Sequence, residues 1–189
     1  MKNPFFFGYG SLVNTSTHAF PEASPARLSG WRRVWRETDL RPVVFLSVEP
    51  VHGCQIDGLI AAVPDGDWHA LDAREYAYDR HIVTDQVHTK TLANLSSVQV
   101  YATRPDISRV AGTNYPILLS YLDVVVQGYL HQFGTDGVAD FFATTGGWSA
   151  PILDDRSAPI YPRAQSLTSK EQAIVDNWLQ SLSAVMQHR

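Results

Sequence analysis

Phe5-Phe6-Phe7-Gly8-Tyr9-Gly10-Ser11-Leu12 is the stretch from which the architecture unfolds. Its first part is a short, wholly apolar run, the pattern of a strand buried on both faces. Two glycines then flank a tyrosine, and without a Cβ the backbone there can turn sharply and approach another group closely. Backbone N–H groups presented by such a turn can hold a carboxylate or an oxyanion, and Ser11 adds a hydroxyl donor. From pattern alone the stretch reads equally as an ordinary strand-end turn. It is not a dinucleotide fingerprint, because the third glycine and a downstream helical unit are missing.

Outward from this run, the first hundred residues read mostly as strands. Residues 27–37 carry Leu28, Trp31, Val34 and Trp35 between arginines, which suits a half-exposed strand. Residues 43–46, 56–63, 81–89 and 98–103 add four β-rich segments. Glu49-Pro50, His52-Gly53, Pro64-Asp65-Gly66 and Ala93-Asn94 separate them as turns. Six short strands with few long connections predict an α+β fold, with a small mixed or antiparallel sheet curled towards a barrel and flanked by helices.

One helix interrupts the strands. Asp65 or Asp67 can cap it, and Trp68, Leu71 and Glu75 follow at i, i+3 and i+7. At about 100° per residue these three side chains lie within roughly 60° of one another, which puts Glu75 on the apolar face. The C-terminal half turns helical. Residues 117–133 carry Leu118, Tyr121, Val125 and Tyr129 at helical spacing, and Gly134 can end that helix. Residues 138–144 form a shorter helix, and a proline-rich irregular stretch follows. Thr168-Ser169-Lys170-Glu171 is a capping box ahead of an Ile174, Trp178, Leu182, Val185 stripe. The expected organisation is a core over residues 1–135 and a helical C-terminal extension over 136–189, packed as one domain.

Composition narrows the functional classes. A chain of 189 residues with 44% hydrophobic and 18% charged residues is ordinary for a globular domain. A net charge of −4 and the lack of any Lys/Arg run give no footprint for nucleic acid. A single cysteine, Cys54, cannot form an internal disulfide, which fits a reducing compartment. No stretch approaches ~20 apolar residues, so no membrane span is expected and the chain reads as soluble and cytoplasmic. Seven histidines show no ligand spacing, and no metal site is expected.

Glu75 is the residue most able to carry chemistry. A carboxylate on an apolar face is disfavoured as an anion, so its pKa should rise towards neutrality. It can then take up a proton and return it within one catalytic cycle. The alternative is a glutamate whose stem reaches solvent or pairs with Arg74 or Arg80.

Taken together, these stretches resemble the γ-glutamylcyclotransferase superfamily. The likeness is carried by Phe7-Gly8-Tyr9-Gly10-Ser11-Leu12, by Leu71-Asp72-x-Arg74-Glu75 followed by Tyr78, and by Tyr121 seven residues before Gly128. Arg27-Leu28-x-Gly30-Trp31 and Asp57-Gly58-Leu59 extend it, so that it covers about residues 5–130. The resemblance implies an enzyme in which the α-amine of a γ-glutamyl group attacks its own γ-carbonyl, releasing 5-oxoproline and an amine or amino acid. It implies Glu75 as general base and acid, with Tyr9, Gly10, Ser11 and Leu12 holding the glutamyl head and Tyr121 lining the same pocket. It implies a small-molecule γ-glutamyl substrate and no cofactor or metal. After Glu75 the chain reads Tyr76-Ala77-Tyr78, where glutathione-specific members carry Lys-Gly-Gly-Tyr. The donor therefore stays open between glutathione, a γ-glutamyl amino acid and a γ-glutamyl amine. A non-catalytic binding module for a γ-glutamyl or acidic ligand is the rival reading. Residues 141–189 lie outside the matched motifs and could cover the pocket mouth or pack outside the barrel.

Overall fold

The computed structural model describes residues 3–92 and 95–188, the side chain of residue 188 excepted; the expected Ala93-Asn94 turn lies outside the described residues. Strand β1 (Phe5–Gly8) is central. It pairs antiparallel with β3 (Val44–Ala62) and parallel with β6 (Val98–Thr103). That position explains the unbroken apolar run. Phe5 and Phe7 enter the main core, while Phe6 points the other way into a smaller cluster with Leu12, Leu71 and Tyr101. The sheet continues outward through β4 (Tyr78–Ile82) on one side, and through β2 (Ser24–Thr38) and β5 (Val87–His88) on the other. Short strands β7 (Ser108–Val110) and β9 (Thr145–Gly146) add to β2, and the mixed sheet curls into a half-barrel.

Two expected strands, 43–46 and 56–63, are one. β3 runs unbroken as the partner of β2, and the turn signals between them fall in a bulge. Ser29 pairs with Gln55 and Trp31 with Pro50, so residues 51–54 have no partner in β2. A bulge accommodates Pro50, which has no amide to donate, and Gly53 adopts φ +81°. The expected strand over 81–89 instead divides into β4 and β5 around the short turn Thr84–Gln86. β2 is less exposed than its arginines suggest. Arg33 is fully buried, donating to Thr144, Thr145, the Asp57 carbonyl and the Tyr129 hydroxyl.

Helix α1 (His69–Arg74) has only six residues, and Glu75 is its C-cap (φ −100°, ψ 35°) rather than a residue of its face. The chain must reverse there, because the Tyr78 amide bonds back to the Glu75 carbonyl and β4 begins its pairing with β6. Helix α2 (Leu119–Thr144) changes direction at Gly134, whose φ of +69° and ψ of −165° are not helical. Strands β8 (Ile117–Leu118), β10 (Ile152–Asp154) and β11 (Met186–His188) make a small parallel sheet. Helix α3 (Ser169–Ser181) opens with the Thr168/Glu171 capping box but buries Val175 and Leu179, with Ile174 and Trp178 half-buried. Val185 lies beyond the helix and is exposed. Among the described residues, no helix is long and apolar enough to cross a membrane.

Candidate functional site

All six residues singled out from the sequence (Tyr9, Gly10, Ser11, Leu12, Glu75 and Tyr121) line one recess of about 30 Å³. That volume suits a small polar group rather than a whole ligand. A cavity of about 160 Å³ adjoins it and shares Ser11, Leu46, Glu75, Tyr78 and Tyr121. The cavity wall also includes the exposed residues Arg41, Tyr76 and Pro162, so this side faces solvent. Glu75 stands where the two spaces meet.

The glycine-rich turn is fixed from below and from the side. β1 ends at Gly8, and the chain enters a 3₁₀ turn over Ser11–Val13. The Ser11 and Leu12 amides open that turn and, like the first amides of any helix, have no acceptor within it. Tyr9 spends its hydroxyl on the Tyr101 carbonyl at 2.6 Å, and Leu12 buries its side chain beside Phe6. These two residues therefore offer the recess ring and backbone rather than a free polar side chain. α2 docks against the turn because Gly128 lets it come close. A Cβ there would lie 2.7 Å from the Asn14 amide nitrogen. Asn14 in turn donates to the Val124 carbonyl at 3.0 Å and to Gln127 at 2.9 Å. This docking brings Tyr121, two helical turns before Gly128, to the recess.

Gly10 and Tyr121 meet closely. A Cβ on Gly10 would lie 2.6 Å from the Tyr121 hydroxyl. The Tyr121 ring is held edge-to-face by Trp35 and Tyr161, at 6.0 and 5.0 Å between centroids. Burial, with Tyr161 and Glu75 nearby, pushes its hydroxyl pKa well above the ordinary value, so it remains a neutral donor.

Glu75 is 16% exposed at its side chain. Burial raises its pKa, and the charges of Arg74 and Arg163 and a hydrogen bond from Arg74 oppose the rise without cancelling it. Arg74 is the residue that ties the parts together. Its guanidinium sits 3.1 Å from Glu75 and donates to Ser11 Oγ at 3.1 Å and to the Thr17 carbonyl at 3.2 Å. With its oxygen accepting from Arg74, the Ser11 hydroxyl still has its own proton to give. The site thus holds a carboxylate of raised pKa, a neutral phenol whose oxygen accepts from the Ser11 amide, and a serine hydroxyl around one small space.

The C-terminal residues divide between the two places left open from the sequence. Gly147 and Trp148 pack on Trp35 at the barrel wall. Tyr161, Pro162 and Arg163 line the cavity instead. They are held there by Asp155, a buried carboxylate that accepts from the Ser120 amide at 2.7 Å, the Ser120 hydroxyl at 2.6 Å and the Ile160 amide at 2.8 Å. Arg156 pairs with Asp123 and Asp176, so the ion pairs of this segment reach α2 and α3 rather than the neighbouring acids. Arg41, Tyr161 and Arg163 carry no local signal that could have placed them at the site. Arg74 is legible in the sequence as a candidate partner of Glu75, and the structure shows that pair; its bonds to Ser11 and Thr17 are not legible there.

Three comparisons bear on this geometry. A search of curated proteins gave no match. Among solved structures, one described as gamma-glutamyl cyclotransferase superposes with a TM-score of 0.60 at 13% identity, over 93% of this chain and 99% of that chain. A protein from Homo sapiens described as uncharacterized gives 0.61 at 14% identity, also over 93% and 99%. YkqA from Bacillus subtilis gives 0.59 at 15%, over 74% of this chain and 52% of that chain. At these identities the likeness shows the fold: a curled half-barrel of the same kind. The sequence itself matches the profile of the family described as gamma-glutamyl cyclotransferase, AIG2-like, over residues 6–115. That match runs through more than half of the chain, from the glycine-rich turn past Glu75, and the protein belongs to this γ-glutamyl cyclotransferase, AIG2-like family.

Proposed function

We propose that the protein cyclises a γ-glutamyl group, releasing 5-oxoproline and a free amine or amino acid, with Glu75 moving the protons. One observation carries this reading. A mostly buried carboxylate of raised pKa stands between a recess bounded by the glycine-rich turn and a cavity that faces solvent. The glutamyl head lies against the Tyr9–Leu12 turn and puts its own carboxylate into the recess. The departing group extends into the cavity.

Proton accounting explains why one such group suffices. The α-amine starts as –NH₃⁺ and ends as the lactam N–H, so it gives up two protons. The departing nitrogen starts as an amide N–H and ends as –NH₃⁺, so it gains two. The bond from the α-nitrogen to the γ-carbonyl carbon forms as the old amide C–N bond to that same carbon breaks. Glu75 relays the protons one at a time across the short distance between the two nitrogens, which requires a carboxyl able to hold and release a proton near neutral pH. Attack within one molecule makes folding of the glutamyl chain the main demand on the site, and the aromatic walls of Tyr9, Tyr78 and Tyr121 supply it.

The test is product identity. Incubation with glutathione, a γ-glutamyl amino acid and a γ-glutamyl amine should yield 5-oxoproline from at least one of them, without free glutamate. Binding of every donor with no 5-oxoproline would favour a binding module instead. Tyr121→Phe separates a pocket hydroxyl from a core ring. It should keep the melting temperature and lower kcat/KM several-fold, on the order of 1–2 kcal/mol in transition-state stabilisation. Reduced stability with intact kinetics would make Tyr121 a packing residue only.

A further inference from the structure

Most arginines of this acidic chain sit against a carboxylate. Arg27 meets Asp57, Arg32 and Arg36 meet Glu49, Arg80 meets Asp72, and Arg109 meets Glu37 and Asp39. Arg41 and Arg163 make no such pair among the described residues, yet both line the cavity beside Glu75. They arrive from unrelated places: Arg41 from the loop between β2 and β3, Arg163 from the segment that Asp155 staples to the start of α2. Neither borders the inner recess, whose only charged lining residue is Glu75. Of the charges facing the cavity, Arg74 pairs directly with Glu75 and Arg163 acts on it only through space, so the cavity lining sets three positive groups against one carboxylate.

A γ-glutamyl donor always carries one carboxylate, on the glutamyl head, and the proposed function assigns that group to the recess at the turn. Two further arginines on the departing side therefore answer a second anion. We propose that Arg41 and Arg163 form a subsite for a carboxylate on the departing amine, so that donors whose leaving group is an amino acid or peptide are preferred over those that release a plain amine. Arginine suits this task because its planar donors match a carboxylate and remain charged at any working pH. The proposal rests on the cyclotransferase reading above for the placement of the two ends of the donor.

γ-Glutamyl-alanine and γ-glutamyl-ethylamine differ in the carboxylate that only the first one's leaving group carries. The wild type should favour γ-glutamyl-alanine in kcat/KM by about 10- to 100-fold, the worth of a charge-assisted contact. Arg41→Gln/Arg163→Gln should remove most of that preference, chiefly through a higher KM for γ-glutamyl-alanine. No preference in the wild type, a preference that survives in the double variant, or an equal loss on both donors would overturn the subsite. If neither these two compounds nor glutathione yields 5-oxoproline, the cyclotransferase reading fails by itself. Calorimetric binding of the same two compounds then still decides: tighter binding of γ-glutamyl-alanine that vanishes in the double variant supports the subsite, and equal affinities overturn it.

Discussion

Glu75→Gln is expected to fold and to bind a γ-glutamyl donor, but to turn it over at least about 100-fold more slowly than the wild type, the low end for general acid–base catalysis. The amide keeps the size and one acceptor oxygen of the carboxylate but cannot carry a proton. Folding should survive because Arg74 keeps its bonds to Ser11 and to the Thr17 carbonyl. The change in stability at pH 7 should stay within about 1 kcal/mol, since a lost ion pair is offset by removing a desolvated charge. The sign of its pH dependence follows from the raised pKa. A group that holds its proton more tightly in the folded state favours folding below its unfolded pKa, and this is lost as pH rises through the folded value. Thermal melts at pH 4 and pH 7 should therefore show the Gln variant gaining on the wild type as pH rises. A variant that binds and releases 5-oxoproline at the wild-type rate would remove Glu75 from the chemistry.

Gly10→Val should abolish measurable turnover while leaving the β-sheet intact, with a loss of at least about 100-fold. The first added carbon already meets the Tyr121 hydroxyl at 2.6 Å and Leu46 at 3.4 Å, and the two methyls beyond it would occupy the recess itself. Either Tyr121 moves away from the site or the turn does, and both displace the groups that fold the donor. Near-UV circular dichroism separates this local change from misfolding. A folded Gly10→Val protein with wild-type kinetics would take the turn out of the substrate's path.

The difference between what could be read from the chain and what could not lies in the range of the interactions. β1 was legible because a central strand, covered on both faces, must be apolar at every position. The α3 start was legible because a capping box is closed by residues three apart. The candidate residues were legible through motifs whose spacing is local: the Tyr9–Leu12 turn, Leu71 to Glu75, and Tyr121 to Gly128. By contrast, Pro50 and Gly53 read as a break, because a bulge looks like a turn until the partner strand is known. The burial of Arg33 depends on Thr144, Thr145 and Tyr129, about a hundred positions away, and no window along the sequence contains that contact. Glu75 was read as a residue of a helix face, whereas the helix stops one residue short of it to let β4 pair with β6. Its burial survives the error, because the C-cap lies one turn after Leu71 and keeps the same direction. Arg41 and Arg163 reach the cavity only through the β2–β3 loop and the Asp155 staple, so their place at the site is a property of the tertiary structure alone.

The pH dependence of kcat/KM for 5-oxoproline release, measured on the wild type and on the residual activity of Glu75→Gln, bears on the whole account at once. A base must be ionised to act, so activity should fall on the acid side with an apparent pKa above 4.5, the ordinary glutamate value, because burial disfavours the Glu75 anion. The same acid limb should be missing from the Gln variant. Wild-type activity that stays level down to pH 4, or an acid limb that persists unchanged in Glu75→Gln, would show that another group moves the protons.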